Sequence, residues 1–227
     1  MEKSENNLKE KDRGILVDLD SSPANFSQSE HYILEDEELS EKRLRNITFK
    51  IMFKTLFSPV EGWKMLRREH LSTDIIQSEC FYPLLALLAA AKFVDFLYKS
   101  HLSITHVIVE GLFAFISYFF GYFIILLLLK AILPSKLSEI FNKSFGKSFI
   151  LISLSTLVLF NLVIELLPML EPVFIFLPLW TIYSMCKGIR FFKLPEKGFL
   201  RFTVLLCISV VGIPLLIEWA LMNLIPF

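Results

Sequence analysis

The sequence predicts an all-helical, polytopic membrane protein in which five spanning helices follow an interfacial amphipathic helix. Hydrophobic residues make up 54% of the chain and Phe alone contributes 23 residues, whereas soluble domains contain roughly 45–50% apolar residues. Charge is also segregated, with 4 basic and 12 acidic residues in 1–41 but 8 basic and 2 acidic residues in 42–70. These patterns divide the chain into an acidic tail (1–45), a basic interfacial segment (46–79) and a five-span membrane domain (80–227).

The acidic tail at 1–45 has few large apolar residues and no helical period. Such a segment buries too little apolar surface to offset its ordering entropy, so we expect it to be disordered in the cytosol. The first 20 residues also lack the apolar core of a signal peptide, which predicts that the first span is retained as an anchor.

The basic segment that follows has an apolar stripe at helical spacing, formed by Phe49, Met52, Phe53, Leu56, Val60 and Trp63. Ser58-Pro59-Val60-Glu61 has the form of a capping box with proline at the first helical position, which predicts a bend and a new helix there. Two placements fit the pattern equally: the segment lies in the membrane interface, or it packs on the bundle. The residues expected to contact lipid or a partner are Lys50, Lys54, Trp63, Lys64, Arg67, Arg68, Lys187 and Arg190.

Five apolar runs are long enough to cross a hydrocarbon core of about 30 Å. They are Phe81–Tyr98, Val107–Leu133, Phe149–Leu167, Val173–Lys187 and Phe202–Ile225. The third and fourth form a hairpin that reverses at residues 168–172, where two prolines bracket a tight turn.

Orientation follows from the Lys and Arg residues in the short loops. Those residues concentrate before the first span and in the loops 130–147 and 187–201, and are almost absent from the other loops. The N-terminus is therefore expected in the cytoplasm and the C-terminus outside.

Several ionisable residues fall inside the predicted spans. Lys92 and Asp95 are three apart, which predicts an ion pair on one helical face. Glu165 and Glu218 lie toward the outer ends of their spans, as does Glu110. These acids either line one polar vestibule or reach water individually from the helix ends. Pro178 and Pro214 interrupt the fourth and fifth spans, and transporters use such breaks.

The sequence contains no motif that carries catalysis, such as a phosphate loop, a nucleophile elbow or HExxH. Cys80, Cys186 and Cys207 have no metal or disulfide spacing and are interpreted as small apolar residues. We therefore predict a protein that is not an enzyme, uses no cofactor or metal and binds no nucleic acid.

Two short segments carry a resemblance to a known family. L-F-S-P-V-E-G-W at 56–63 precedes the first span, and Leu179-Trp180-Thr181-Ile182-Tyr183 followed by Lys187-Gly188-Ile189-Arg190 ends the fourth. Together with five spans in N-in, C-out order, these resemble the Yip membrane proteins, whose eukaryotic founders interact with Ypt/Rab GTPases. The bacterial branch typically shows W-x-x-Y and then G-[LI]-[RK], matched here by Trp180, Tyr183 and Gly188. The resemblance implies a bacterial inner-membrane protein.

The leading functional hypothesis is a non-enzymatic membrane scaffold or adaptor that binds lipid or a protein partner through its basic cytosolic face. The alternative is a small-solute or ion transporter, or a transporter subunit, that uses the acidic residues near the outer leaflet. Its main partner is expected to be the lipid bilayer, and a homo-oligomer is compatible with the sequence.

Overall fold

A computed structural model describes residues 42–98, 103–133, 139, 141, 143–167, 172, 176–192 and 199–224, with the side chains of 95–98 left out. All regular structure in these ranges is helical. The chain separates into two units, Met1–Arg43 and Leu44–Phe227. The predicted disorder of the tail falls on 1–41, outside the described residues, but 42–45 are helical rather than disordered.

Two helices precede the membrane domain: α1 at 42–57 and α2 at Pro59–Glu69. The predicted break is confirmed at Ser58, which is the N-cap residue, with Pro59 in the first turn of α2. The capping box is not formed, because the Ser58 side chain makes no cap hydrogen bond. Main-chain bonds join the two helices instead, from Ser58 N to Lys54 O at 2.7 Å and from Gly62 N to Ser58 O at 3.0 Å.

The two helices fold against each other, and we call α1 and α2 together the hairpin. Gly62 lies so close to the Thr55 main chain that a Cβ atom would overlap it. The single apolar stripe predicted from the sequence therefore does not continue across the bend. Met52 and Trp63 are fully buried, whereas Phe53 and Val60 are about half exposed.

The first spanning helix is longer than predicted and changes its winding near its start. It comprises α3 (Thr73–Ile76), a π-helical turn (Gln77–Phe81) and α4 (Tyr82–Tyr98). The Tyr82 N–H bonds to the Gln77 carbonyl oxygen across the wider turn. Pro83 follows directly, and a π turn accommodates a residue that has no N–H and whose ring crowds the preceding turn.

The remaining helices are α5 (Ile104–Ile132), α6 (Ser144–Leu166), α7 (Leu177–Ile189) and α8 (Phe199–Leu224), with a 3₁₀ turn at Arg190–Phe192. Four helices in the described chain have the length and apolar character to cross a membrane: Thr73–Val94, α5, α6 and α8. The helix in the predicted fourth span has 13 residues and is about 20 Å long. It begins at Leu177, after the N-cap residue Phe176, and therefore starts later than the predicted Val173. Residues 173–175 and the predicted turn at 168–171 lie outside the described ranges.

The spans pack into one bundle in which α4 and α8 both contact α5, and α6 contacts α4. The hairpin packs on α6 and α7, so the side on which α6 begins is called the hairpin end. Lys92, Glu165 and Glu218 lie near the opposite ends of α4, α6 and α8, which we call the polar end. Pro214 is inside α8, whereas Pro178 is in the first turn of α7, a position that tolerates proline.

Candidate functional sites

The best-defined contact at the hairpin end is made by Trp63. Its side chain is fully buried, and its indole N–H donates to the Ser184 carbonyl oxygen of α7 at 2.8 Å. Its ring packs on Phe149 of α6, with centroids 4.3 Å apart. The indole thus fills the joint between α2, α6 and α7 and satisfies its only polar group there.

Gly188 makes this joint possible. A Cβ atom at Gly188 would lie 2.5 Å from a ring carbon of Phe149 and 2.7 Å from the indole of Trp63. Carbon atoms pack at about 3.5–4.0 Å, so only glycine lets the two rings reach the α7 backbone. The glycine of the family-like motif is therefore a packing residue in this structure.

Two further hydrogen bonds fix α1 to α7. The Trp180 indole N–H donates to the Leu56 carbonyl oxygen at 2.8 Å, and the Ser184 hydroxyl donates to the Thr55 carbonyl oxygen at 3.2 Å. Both acceptors lie in the last turn of α1, where carbonyl groups lack partners within the helix. Trp180 and Tyr183 are half exposed, with ring centroids 5.2 Å apart, and the Lys187 ammonium lies 5.2 Å from the Tyr183 ring.

The outward surface of the hairpin is cationic. The predicted contact residues Lys50, Lys54, Lys64, Arg67 and Arg68 are all exposed, as is Arg190. Arg68 bonds its neighbour Glu69 at 2.8 Å. The same surface carries Phe53 and Phe57, the latter 79% exposed. The hairpin thus presents cations and uncovered aromatic rings together.

The polar end contains a cavity of about 190 Å³ between α4, α5, α6 and α8. Lys92 of α4 forms an ion pair there with Glu165 of α6, and the Asn161 amide donates to the Tyr118 hydroxyl oxygen. Charged groups in a membrane interior are costly unless they are paired. The structure pairs Lys92 with a residue on another helix, 73 positions away in sequence. The predicted partner Asp95 has a side chain outside the described part.

Glu218 of α8 completes this cavity. No described residue donates a hydrogen bond to its carboxylate, although it interacts electrostatically with Lys92, Glu165 and Glu110. Glu110 bonds His106 at 3.0 Å. The sequence left two alternatives for the acidic residues, one shared polar vestibule or separate contacts with water. Glu165 and Glu218 line one cavity together with Lys92, which agrees with the first alternative for these two residues. Among the described residues, this cavity included, no cluster of three or more His, Cys, Asp or Glu side chains could hold a metal ion.

The two sites lie at opposite ends of α6. Phe149 and Glu165 are 16 residues apart on that helix, which corresponds to about 24 Å. No family model, curated protein or solved structure matches the chain. Function is therefore inferred from the chemistry of these two ends.

Sequence patterns missed several residues that build the sites. Ser184 and Thr55 contribute main-chain carbonyl groups, and a carbonyl acceptor has no sequence signal because almost every residue has one. Tyr118 lies in a continuous apolar run of α5 and looks like one more lipid-facing aromatic residue. The only indication in the sequence that Lys92 pairs with Glu165 was that both charges lie at a similar predicted depth in the membrane.

Proposed function

We propose that this chain is a non-enzymatic membrane scaffold of the Yip type, whose hairpin binds anionic lipid headgroups at the cytosolic surface. The observation that carries the proposal is the division of the hairpin into two sides. Ile51, Met52 and Trp63 are buried in the bundle, while five of the hairpin's cations, Lys50, Lys54, Lys64, Arg67 and Arg68, are exposed. A docked hairpin holds those cations in a fixed place, and each one near an anionic surface contributes about 1 kcal/mol.

The exposed aromatic residues support the membrane surface as the binding partner. Phe53 and Phe57 are one helical turn apart on α1 and are uncovered by the bundle. The bond from Trp180 to Leu56 places them beside the exposed aromatic residues of α7. Aromatic rings next to cations suit the boundary between headgroups and acyl chains.

Family membership and topology belong to the same proposal. The two segments that resemble the Yip family contact each other through Trp63, Gly188 and Trp180. Such a contact is expected if the two segments form one packing unit in members of the family. Gly188 also lies against Phe149 near the start of α6, so the chain returns to the hairpin end after leaving α6 at Leu166. We therefore propose that 167–189, the predicted fourth span, also crosses the membrane and brings the total to five crossings. In this arrangement the N-terminus is cytoplasmic and the C-terminus lies outside a bacterial inner membrane.

The lipid proposal is tested with the full chain in bilayers that contain spin-labelled phosphatidylglycerol or phosphatidylcholine. We expect the wild-type chain to enrich the anionic lipid several-fold, with an enrichment that falls at 1 M salt, where the Debye length is about 3 Å. The triple variant Lys50→Gln, Lys54→Gln, Lys64→Gln should lose most of this enrichment. The matched triple change to Arg should retain it. Equal enrichment of both lipids by the wild type would refute the proposal.

The polar cavity favours a second candidate function, the movement of a small cation. Its lining includes one Lys and two Glu residues, so acidic side chains outnumber basic ones in an apolar surrounding. Proton and potassium fluxes in proteoliposomes test this function. A flux that falls in Glu218→Gln and Glu165→Gln would support transport, whereas the same background flux in wild type, variants and empty liposomes would exclude it for these ions.

A further inference from the structure

A second, larger cavity lies at the hairpin end and shares Arg67 with the outward cationic surface. It has a volume of about 540 Å³, within the range of small-molecule sites. It is an open cavity between the end of α2, the start of α6 and the 3₁₀ turn after α7. Its lining consists of Leu66, Arg67, His70, Leu71, Lys143, Ser144, Phe145, Ser148, Phe191 and Phe192.

The polar part of this lining suits an anion. Arg67 and Lys143 supply positive charge, His70 adds an imidazole ring, and none of the ten lining residues is acidic. The cavity also includes the N-terminus of α6, a helix of 23 residues. The side chain of the N-cap residue Lys143 makes no cap bond. Within the described residues, the amide N–H groups of Ser144 and Phe145 have no acceptor, so they and the helix dipole favour a negative ligand.

Ser148 gives an independent indication of a missing partner. It lines the cavity and is 1% exposed, and its hydroxyl has no hydrogen-bond partner among the described residues. Ser153 and Thr156 on the same helix donate to the carbonyl oxygen four residues back, at 2.9 Å each. Ser155 also has no partner among the described residues, but it does not line this cavity. Ser148 lies one turn beyond Ser144, on the same face of α6. Buried hydroxyl groups are nearly always paired, so a ligand oxygen here would complete the site.

The other half of the lining is apolar and includes three Phe rings. A soluble anion would leave these rings uncovered, whereas an amphiphile would cover them. We infer that this cavity binds the phosphomonoester headgroup of an anionic lipid, with its phosphate at the N-terminus of α6 and its glycerol end against Phe145, Phe191 and Phe192. Arg67 and Lys143 match the charge of a phosphomonoester, which is close to −2 at neutral pH. The inference rests on the proposed function in one respect, the assignment of the hairpin end to the cytosolic side of the membrane, from which the lipid would come.

Arg67 and Arg68 provide a matched pair of variants for the test. Arg67 lines the cavity and bonds the Phe191 carbonyl oxygen at 3.3 Å, whereas its neighbour Arg68 is outside the lining and bonds Glu69. Binding of phosphatidic acid and of phosphatidylglycerol to the purified full chain is measured by native mass spectrometry. We expect a preference of about tenfold for phosphatidic acid, the value of one charge-assisted hydrogen bond. Arg67→Gln should abolish the preference and Arg68→Gln should leave it within about twofold.

Ser148→Ala separates binding from folding. We expect it to weaken phosphatidic acid binding while the thermal stability of the lipid-free protein stays equal or rises, because an unpaired buried hydroxyl is removed. Equal binding of the two lipids by the wild type, or equal effects of Arg67→Gln and Arg68→Gln, would overturn the inference. Displacement of the lipid by an equal concentration of glycerol 3-phosphate would assign the site to soluble phosphates and overturn the lipid assignment.

The two proposals fail independently. If the Lys50, Lys54, Lys64 triple change to Gln has no effect on lipid enrichment but the phosphatidic acid preference persists, only the surface function is wrong. If enrichment is lost in that triple variant but no phosphatidic acid preference exists, only the cavity assignment is wrong.

Discussion

The indole of Trp63 lies 2.7 Å from the position that a Cβ atom would occupy at Gly188. The two residues belong to segments on either side of the first three spans. Their contact makes the pre-membrane hairpin a part of the bundle, so changes at either residue should be felt by the whole fold.

Gly188→Ala should destabilise the protein. The added methyl group would meet Phe149 and Trp63 at 2.5 and 2.7 Å, and overpacking of this kind costs about 1–3 kcal/mol. Thermal unfolding in detergent measures the loss. Gly212→Ala is the control, because its nearest neighbouring atom would be 3.9 Å away and alanine favours the helix. Equal melting temperatures for the two variants would contradict the packing role of Gly188.

Trp63→Phe should also destabilise the protein. The change removes the bond to the Ser184 carbonyl oxygen and part of a fully buried ring, at a cost of about 2–4 kcal/mol. Trp219→Phe, at a side chain 68% exposed, should have little effect. The free energy of unfolding is measured for both. A larger loss in Trp219→Phe would show that the hairpin joint does not support the fold.

Lys92→Met should destabilise the protein more than Glu165→Gln does. Removing Lys92 leaves two carboxylates around one cavity without a cation, whereas removing the Glu165 charge leaves Lys92 with Glu218. Breaking one side of a buried ion pair costs about 3–5 kcal/mol. Unfolding in mixed SDS micelles measures both losses, and the double variant should lose less than their sum. Additive losses would mean that the pair is not coupled.

The proposed crossing at 167–189 predicts that two introduced cysteines are labelled from opposite sides of the membrane. In a background with Cys80, Cys186 and Cys207 changed to Ala, Asn223→Cys should react with a membrane-impermeant maleimide added to intact spheroplasts. Arg190→Cys should react only after permeabilisation. Both native residues are exposed, so access should depend on the membrane side. The reverse pattern, with Arg190→Cys labelled in intact spheroplasts and Asn223→Cys labelled only after permeabilisation, would show that 167–189 does not cross the membrane and would refute the C-out topology.

The long helices were predictable because the bilayer imposes a length and an apolar composition that do not depend on packing details. Runs such as 107–133 and 202–225 therefore matched α5 and α8 closely. The break at Ser58-Pro59 was predictable for a similar reason, since proline removes a main-chain donor wherever it stands. The short described helix at Leu177–Ile189 was not, because a hydropathy run does not reveal where helical winding starts.

The interior of the hairpin was harder to predict. Thr48 and Thr55 are buried, and their hydroxyl groups donate to carbonyl oxygens four residues back, at 2.9 and 2.8 Å. A threonine that satisfies its own hydroxyl in this way behaves as an apolar residue, yet a hydrophobic pattern counts it as polar. For this reason the predicted apolar stripe included Phe53, which is about half exposed, but not Thr55, which is buried.

The joint between Trp63 and Ser184 also sets an order of events during synthesis. The two residues are 121 positions apart, so at an elongation rate of about 5–20 residues per second the hairpin is made about 6–24 s before its docking site on α7 is complete. During that interval Cys80 and then Phe149 become available to Met52 and Trp63, but the Ser184 carbonyl oxygen that accepts the Trp63 indole N–H is still missing. A chain truncated before α7 would lack that acceptor together with the other contacts of the hairpin to α7.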